Sequence, residues 1–130
     1  MRASEANADF ALLELNQTPD PSLGIFYAGW TRSGQPASSV TAIHHPKGDL
    51  MKISIDVNPV IAVSFFGGGP DYWRATFDQG IVQPGSSGSP LFDPNHRIVG
   101  QLSGYQNDIC NINDNPCYCT EPTHWGIWQV

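Results

Sequence analysis

The chain has 130 residues, among them 13 glycines and 11 prolines, and its net charge at pH 7 is −6. This length suffices for one domain with its own hydrophobic core. The acidic balance and the absence of a Lys/Arg cluster argue against a nucleic-acid-binding surface. No apolar run reaches the roughly 18 residues of a membrane-spanning helix. Short apolar runs without a 3.6-residue period predict an all-β protein with almost no helix.

The first predicted strand covers residues 8–15, where Asp9 opens the apolar run Phe10-Ala11-Leu12-Leu13-Glu14-Leu15. Taken alone, Asp9 is typical of an aspartate at the entry to a strand. Residues 17–22 contain two prolines and are typical of a connector. We therefore predict an N-terminal strand and connector at residues 1–22 and a main β domain at residues 23–130. The first eight residues lack the apolar stretch of a signal peptide, and we interpret Met1 as a start codon added to a segment of a longer protein.

Further strands are predicted at the close spacing that is typical of an antiparallel barrel. They cover residues 25–30, 39–45, 52–57, 60–66, 72–77, 91–92, 97–102 and 125–130. In the strand at 52–57 polar and apolar residues alternate, so we expect Ile53, Ile55 and Val57 to face the interior. Asp93-Pro94-Asn95-His96 is predicted to form a hairpin turn.

A glycine- and serine-rich turn, Gly85-Ser86-Ser87-Gly88-Ser89-Pro90, lies between two of these strands. Such a sequence is by itself most often a surface turn. Gly85 and Gly88 lack a Cβ, so the backbone around them can direct successive N–H groups toward one point. Because such donors stabilise an oxyanion, the turn is also suited to present Ser87 as a nucleophile.

The serine turn, the apolar run that starts at Asp9 and the segment 97–102 together resemble the trypsin-like serine endopeptidases. The likeness is nearest to the bacterial lysyl endopeptidase branch, which has the same six-residue turn. The stretches 28–30 (Ala-Gly-Trp) and 42–46 (Ala-Ile-His-His-Pro) also resemble that branch. The resemblance implies an antiparallel six-stranded β-barrel, the second barrel of a chymotrypsin-like two-barrel fold, preceded by a strand from the first barrel.

The resemblance also implies roles for individual residues. Ser87 would be the nucleophile, Asp9 would orient the triad histidine, and the N–H groups of Gly85 and Ser87 would form the oxyanion hole. Ser103 and Gly104 would hydrogen-bond the substrate backbone as an added strand does.

Substrate preference depends on two other positions. Ile81, six residues before the nucleophile, would line the pocket for the substrate side chain and could not neutralise a cation. The lysyl endopeptidases take their selecting aspartate from a late loop, and the matching position here is Thr123. Acidic residues elsewhere in the late loop could restore a preference for basic residues, and they are Asp108, Asp114 and Glu121.

No histidine matches the triad base, which precedes the aspartate in the resembling enzymes. His44 and His45 match a pair that does not serve as the base in the related endopeptidases. We interpret these two, His96 and His124 as surface or pocket-wall residues. Because a hydroxyl without a base is a poor nucleophile, the chain alone is expected to be inactive. An upstream barrel of the same protein would supply the histidine.

All three cysteines lie in the late loop, residues 105–124. Cys117 and Cys119 are poorly placed to bond each other, so Cys110 is expected to pair with one of them. In an exported protein the third cysteine would pair with the upstream part. The alternative is a zinc site formed by Cys110, Cys117, Cys119 and His124, although its spacing matches no common zinc module. We expect no metal and no cofactor.

Together these features predict a fragment of a secreted or periplasmic serine endopeptidase that hydrolyses peptide bonds by an acyl-enzyme route, with a preference for basic residues left open. Its expected partners are a peptide or protein substrate and the upstream barrel, not nucleic acid or a membrane. One alternative is a pseudoprotease or peptide-binding module that lacks the catalytic histidine. A further alternative is a different hydrolase or a metal-binding β domain.

Overall fold

The computed structural model describes residues 1–6, 10–64, 72–107 and 124–129. These residues contain β-strands and two short 3₁₀ turns, Pro21–Leu23 and Pro46–Gly48, so the all-β prediction is confirmed. Within the same residues, no helix has the length and apolarity needed to cross a membrane. The described strands are β1 (Ala3–Glu5), β2 (Phe10–Leu12), β3 (Gly29–Trp30), β4 (Val40–His44), β5 (Lys52–Asp56), β6 (Ile61–Val63), β7 (Tyr72–Thr76), β8 (Pro90–Phe92), β9 (Arg97–Asn107) and β10 (His124–Gln129).

Eight of the described strands form one sheet, and β1 and β2 form a separate antiparallel pair. The path through the large sheet is β5-β4-β8-β9-β10-β7-β6, while β3 pairs with β9 in parallel. The described strands do not close into a barrel, and the six-stranded count is not confirmed. Near the ends of the path, the N–H groups of Asp78 and Gln79 donate to the carbonyl of Ile55 at 2.9 and 3.1 Å. The sheet therefore curls so that β5 approaches the segment that follows β7.

The hydrophobic core lies on one face of this curled sheet. Trp128 is fully buried and meets Phe77 edge to face, with ring centroids 5.5 Å apart and an interplanar angle of 84°. Gly126 makes room for this ring, because a Cβ at Gly126 would lie 2.4 Å from Cη2 of Trp128. Other buried members of the core are Val40, Ala42, Val60, Trp73, Ala75, Val82, Leu91, Val99 and Leu102.

Strand β5 faces the opposite way from the prediction. Ser54 and Asp56 are buried, whereas Ile53 is 58% exposed and Val57 is 63% exposed. The Asp56 carboxylate accepts hydrogen bonds from the N–H of Thr76 at 2.7 Å and of Asn58 at 2.9 Å. Because these partners satisfy the buried carboxylate, the polar face of β5 can pack inward. Ile53 and Val57 are left exposed, and Ile55, the third residue of the predicted inward face, is half-buried.

The described residues among the first 30 bury little of their apolar surface. Phe26 is 87% exposed and Trp30 is 70% exposed, and the strand predicted at 25–30 is reduced to the two residues of β3. So much exposed apolar surface is typical of a segment that packs against another domain or partner. Further large apolar side chains exposed in this region are Phe10, Leu12, Leu13, Leu15, Leu23, Ile25 and Tyr27. The division at residues 22 and 23 falls within the turn Pro21–Leu23 and stays a prediction.

The turn between β8 and β9 is built on a buried carboxylate. Asp93 is 7% exposed, and its Oδ1 accepts hydrogen bonds from the N–H of Asn95 at 2.9 Å and of Arg97 at 2.8 Å. Its Oδ2 accepts from Nε and Nη2 of Arg97 at 2.9 and 2.7 Å. Burial alone would raise the pKa of Asp93, but the hydrogen bonds from Arg97 and Asn95 outweigh it, and this pKa lies below its usual value.

We expect Asp93→Ala to lower the free energy of unfolding by about 2 kcal/mol at neutral pH, because it removes charge-assisted hydrogen bonds. The folded-state pKa lies below the unfolded one, so this stabilisation is present above the unfolded pKa and is lost as pH falls through the folded value. Urea unfolding at pH 7 and in acid should therefore show a difference between wild type and variant that shrinks in acid. The control is Asp49→Ala, whose exposed partner Lys52 lies 3.9 Å away. An equal loss at both pH values would contradict the charged role of Asp93.

Candidate active site

The serine turn, residues 85–90, leads into β8. Hydrogen bonds of its backbone hold it in place. The Ser86 N–H donates to the Gln83 carbonyl at 3.0 Å, and the Ser89 N–H donates to the Ser86 carbonyl at 3.1 Å. The Gly88 N–H donates to the carbonyl of Leu102 in β9 at 2.9 Å. Gly88 has a φ of 77°, a backbone conformation that glycine adopts without steric cost. The turn is thus a fixed structure anchored to the sheet.

Two N–H groups of this turn are left over. Those of Gly85 and Ser87 have no acceptor among the described residues, whereas those of Ser86, Gly88 and Ser89 are bonded. Ser87 is exposed, and its hydroxyl has no hydrogen-bond partner in the described part of the chain. An exposed hydroxyl beside two unengaged donors is what attack on a carbonyl and stabilisation of the resulting oxyanion require.

The turn between β4 and β5 packs against the serine turn. The Lys47 N–H donates to the Pro84 carbonyl at 2.7 Å, and Lys47 has a φ of 55°. This left-handed conformation costs a lysine on the order of 1 kcal/mol. A Cβ at Gly85 would lie 3.0 Å from the Gly48 nitrogen and 3.1 Å from the His45 oxygen. Because Gly85 also has a φ of 95°, a side chain at this position would force the two turns apart.

A buried hydrogen-bond network joins the two turns through His44. Its Nδ1 lies 2.8 Å from Oγ of Ser86, and its Nε2 lies 2.9 Å from Oγ of Ser54. The Ser54 hydroxyl donates to the Ile81 carbonyl at 3.4 Å. Since this donation uses its only hydrogen, Ser54 accepts from the Nε2–H of His44, and the Ser86 hydroxyl donates to Nδ1. His44, Ser54 and Ser86 are at most 2% exposed.

This network corrects the interpretation of His44 as a surface or pocket-wall residue. Burial, with a smaller contribution from His45, lowers the pKa of His44, which favours the neutral imidazole that the network requires. The signal in the sequence was the alternation of β4, in which Val40, Ala42 and His44 share the buried face. His45, by contrast, is exposed, as expected, and its Nδ1 lies 3.0 Å from the carbonyl oxygen of Asp49.

The other candidate residues are only partly described. Ile81 is half-buried, and Ser103 and Gly104 lie in β9 beyond Gln101, the last β9 residue that pairs with β8. Leu102 is still bonded to the serine turn, because its N–H donates to the Ser89 carbonyl at 2.9 Å. In the described part of the chain, the residues of β9 after Leu102 have β10 as their strand partner on one side, and the other edge is unpaired. Candidates outside the described residues are Asp9, Asp108, Cys110, Asp114, Cys117, Cys119, Glu121 and Thr123. The described residues alone contain no cluster of three or more potential metal ligands.

The fold of this chain is similar to that of a solved protein structure. The crystal structure of a serine-to-alanine mutant of Rv3671c from Mycobacterium tuberculosis H37Rv, in its inactive form, matches with a TM-score of 0.50 and 17% identity. The match covers 85% of this chain and 50% of that chain. Because the sequence identity is low, the match shows a shared fold and carries no statement about function.

The sequence comparisons then give the family. The family model of the lysyl endopeptidase C-terminal domain matches residues 1–118. The lysyl endopeptidase of Pseudomonas aeruginosa PAO1 is 33% identical over 124 residues, which are 92% of this chain and 24% of that protein. This chain belongs to the lysyl endopeptidase C-terminal domain family, which confirms the resemblance seen in the sequence. It spans about a quarter of the length of the Pseudomonas relative.

Proposed function

We propose that this chain is the nucleophile-bearing part of a secreted serine endopeptidase, and that Ser87 forms the acyl-enzyme. The observation that carries this proposal is the exposed Ser87 hydroxyl beside the two unengaged N–H groups of Gly85 and Ser87. The Ser87 oxygen would attack the peptide carbonyl, and those N–H groups would stabilise the oxyanion. Membership of the lysyl endopeptidase C-terminal domain family supports this chemistry.

The rest of the triad would come from outside the serine turn. Asp9 would orient a histidine that the upstream barrel of the same protein supplies, and that histidine would take the proton of Ser87. Within the described residues, His44 is buried in hydrogen bonds to Ser86 and Ser54 and is not free to serve as that base. The exposed apolar surface of residues 10–30 and of β5 supports docking of another barrel. Six strands of the curled sheet would then form the second barrel of the two-barrel fold.

Substrate binding would use the unpaired edge of β9. A peptide that adds to this edge as a strand would hydrogen-bond Ser103 and Gly104, which supplies affinity without sequence preference. The name of the Pseudomonas relative points to cleavage after lysine. Because Ile81 is apolar, we propose that the late loop supplies the acid that selects lysine in this chain, and the candidates are Asp108, Asp114 and Glu121.

A fluorophosphonate probe tests the proposed nucleophile, because it reacts only with an activated hydroxyl. We expect stoichiometric labelling of the full-length protein that contains this chain and the upstream barrel, and mass spectrometry should place the adduct on Ser87. The heat-unfolded protein and the Ser87→Ala variant serve as controls. The isolated 130-residue chain should react far more slowly. Absence of labelling in the folded full-length protein would instead favour the pseudoprotease or peptide-binding alternative.

A further inference from the structure

We infer that His44 is a positioning residue for the acylation step: its buried imidazole, hydrogen-bonded to Ser86 and Ser54, holds the serine turn in the conformation that presents Ser87 and its oxyanion donors. This inference rests on the proposed function of Ser87. His44 is not a member of the proposed triad, and its role would be to hold the serine turn.

The pair formed by His44 and Ser86 is not itself a nucleophile and its base. Ser86 is 1% exposed and His44 is 2% exposed, so a substrate carbonyl cannot reach the Ser86 hydroxyl. That hydroxyl donates its hydrogen to Nδ1 of His44 at 2.8 Å. The next residue, Ser87, is exposed. The hydrogen bond therefore anchors the residue directly before the nucleophile and leaves the nucleophile free.

This anchor fixes one of the two oxyanion donors. The N–H of Ser87 belongs to the peptide unit whose carbonyl comes from Ser86, and that carbonyl accepts from the Ser89 N–H at 3.1 Å. A trans peptide is planar, with its C=O and N–H on opposite sides, so holding the carbonyl directs the Ser87 N–H away from Ser89. The Ser86 side chain is hydrogen-bonded to His44, and this bond also restrains the Ser86 end of the same peptide unit.

The second donor is oriented by the same supporting turn. The N–H of Gly85 belongs to the peptide unit whose carbonyl comes from Pro84, and that carbonyl accepts from Lys47 at 2.7 Å. The Gly85 N–H must therefore point away from Lys47. His44 is the last residue of β4 and Lys47 lies three residues later, in the turn Pro46–Gly48, so one short segment orients both donors.

The other ring nitrogen of His44, Nε2, restrains the segment that precedes the serine turn. Nε2–H donates to Ser54, which in turn donates to the carbonyl of Ile81, the proposed pocket residue. The two segments approach so closely that a Cβ at Gly80 would lie 2.5 Å from Oγ of Ser54. The imidazole thus connects β5, residue 81 and the serine turn. Losing it would remove the side-chain anchors of the serine turn and of the segment that precedes it.

Kinetics of the full-length protein on a peptide ester test the inference. We expect Ser86→Ala and His44→Gln each to lower kcat on the order of 10-fold with little change in KM, because a misaligned donor loses stabilisation that exists only in the transition state. The double variant should be no slower than the slower single variant, because both changes break the same hydrogen bond, the one between His44 and Ser86. The matched control is His96→Gln, in the turn between β8 and β9, whose exposed side chain should leave kcat unchanged. Unchanged kcat in the two single variants, or losses that multiply, would overturn the inference.

A comparison of two amide substitutions separates positioning from packing. In His44→Asn the amide occupies the place of Nδ1 and can accept from Ser86, whereas in His44→Gln it occupies the place of Nε2 and faces Ser54. We expect both variants to lose similar thermal stability, but His44→Asn to retain several-fold more kcat. Equal kcat in the two variants would show that His44 only fills the core.

Hydrogen exchange in the 130-residue chain gives an answer that does not depend on activity. Amides of Ser86, Gly88 and Ser89 should exchange at least several-fold faster in Ser86→Ala, while amides shared by β4 and β5 keep their rates. Unchanged exchange in the turn would overturn the positioning role. If the full-length wild type neither reacts with fluorophosphonate nor hydrolyses the ester, the proposed function fails. The exchange rates then decide alone whether His44 fixes the turn.

Discussion

Replacing Ser87 with alanine should lower kcat/KM of the full-length protein for a peptide ester by at least about 10⁴-fold, the scale of loss when a serine nucleophile is removed. Ser87 stands at the exposed tip of the turn, while Ser86 is buried against His44. The remaining rate would come from substrate binding and the oxyanion donors, which the variant keeps. Steady-state hydrolysis at fixed pH, with purified wild type and variant side by side, measures the ratio.

Ser89→Ala is the matched control for this experiment. The Ser89 hydroxyl is buried, but it has no hydrogen-bond partner in the described part of the chain, so its loss should change kcat/KM by less than about twofold. Circular dichroism and thermal unfolding should match wild type for both variants. Should Ser87→Ala keep its activity while Ser86→Ala loses it, the nucleophile would have to be reassigned.

Gly126→Ala should lower the free energy of unfolding by about 3 kcal/mol, at the upper end of the usual cost of overpacking a core. The added Cβ would lie 2.4 Å from Cη2 and 2.5 Å from Cζ3 of Trp128, and 3.1 Å from Cδ1 of Leu102. The indole cannot retreat easily, because it is fully buried and packs against Phe77. Urea unfolding followed by far-ultraviolet circular dichroism measures this loss.

Two further variants test this explanation. Gly29→Ala is the control, since a Cβ at Gly29 would meet only Cγ of Arg97 at an ordinary 3.7 Å, and we expect no more than about 0.5 kcal/mol of change. Trp128→Leu is destabilising in its own right, but adding Gly126→Ala to it should cost little, because the clashing ring is gone. If the two losses simply add, the clash with the indole is not the cause.

The serine turn and the all-β class could be predicted because their signals are local. The glycines and serines of the turn and the short apolar runs each determine backbone conformation over a few residues. The inward face of β5 could not be predicted, because alternation shows that two faces differ without showing which face is covered. Ser54 and Asp56 face inward because partners distant in sequence, His44 and Thr76, meet them there.

His44 illustrates the same limit within the site. Its position on the buried face of β4 follows from the alternation of that strand, but its two partners lie 10 and 42 residues away in sequence. Such a bond depends on how β4, β5 and the serine turn come together, which no local pattern encodes. In the triad that the family resemblance implies, this histidine has no role.

The separation of β1 and β2 from the eight-stranded sheet has a consequence for how the chain melts. Apolar groups that stay in water in the native state contribute nothing to the heat capacity change of unfolding. The calorimetric transition of the isolated chain should therefore report the large sheet almost alone, with an enthalpy small for 130 residues. A partner that covers the first 30 residues would add its binding free energy to the native state, so the melting temperature would rise with partner concentration.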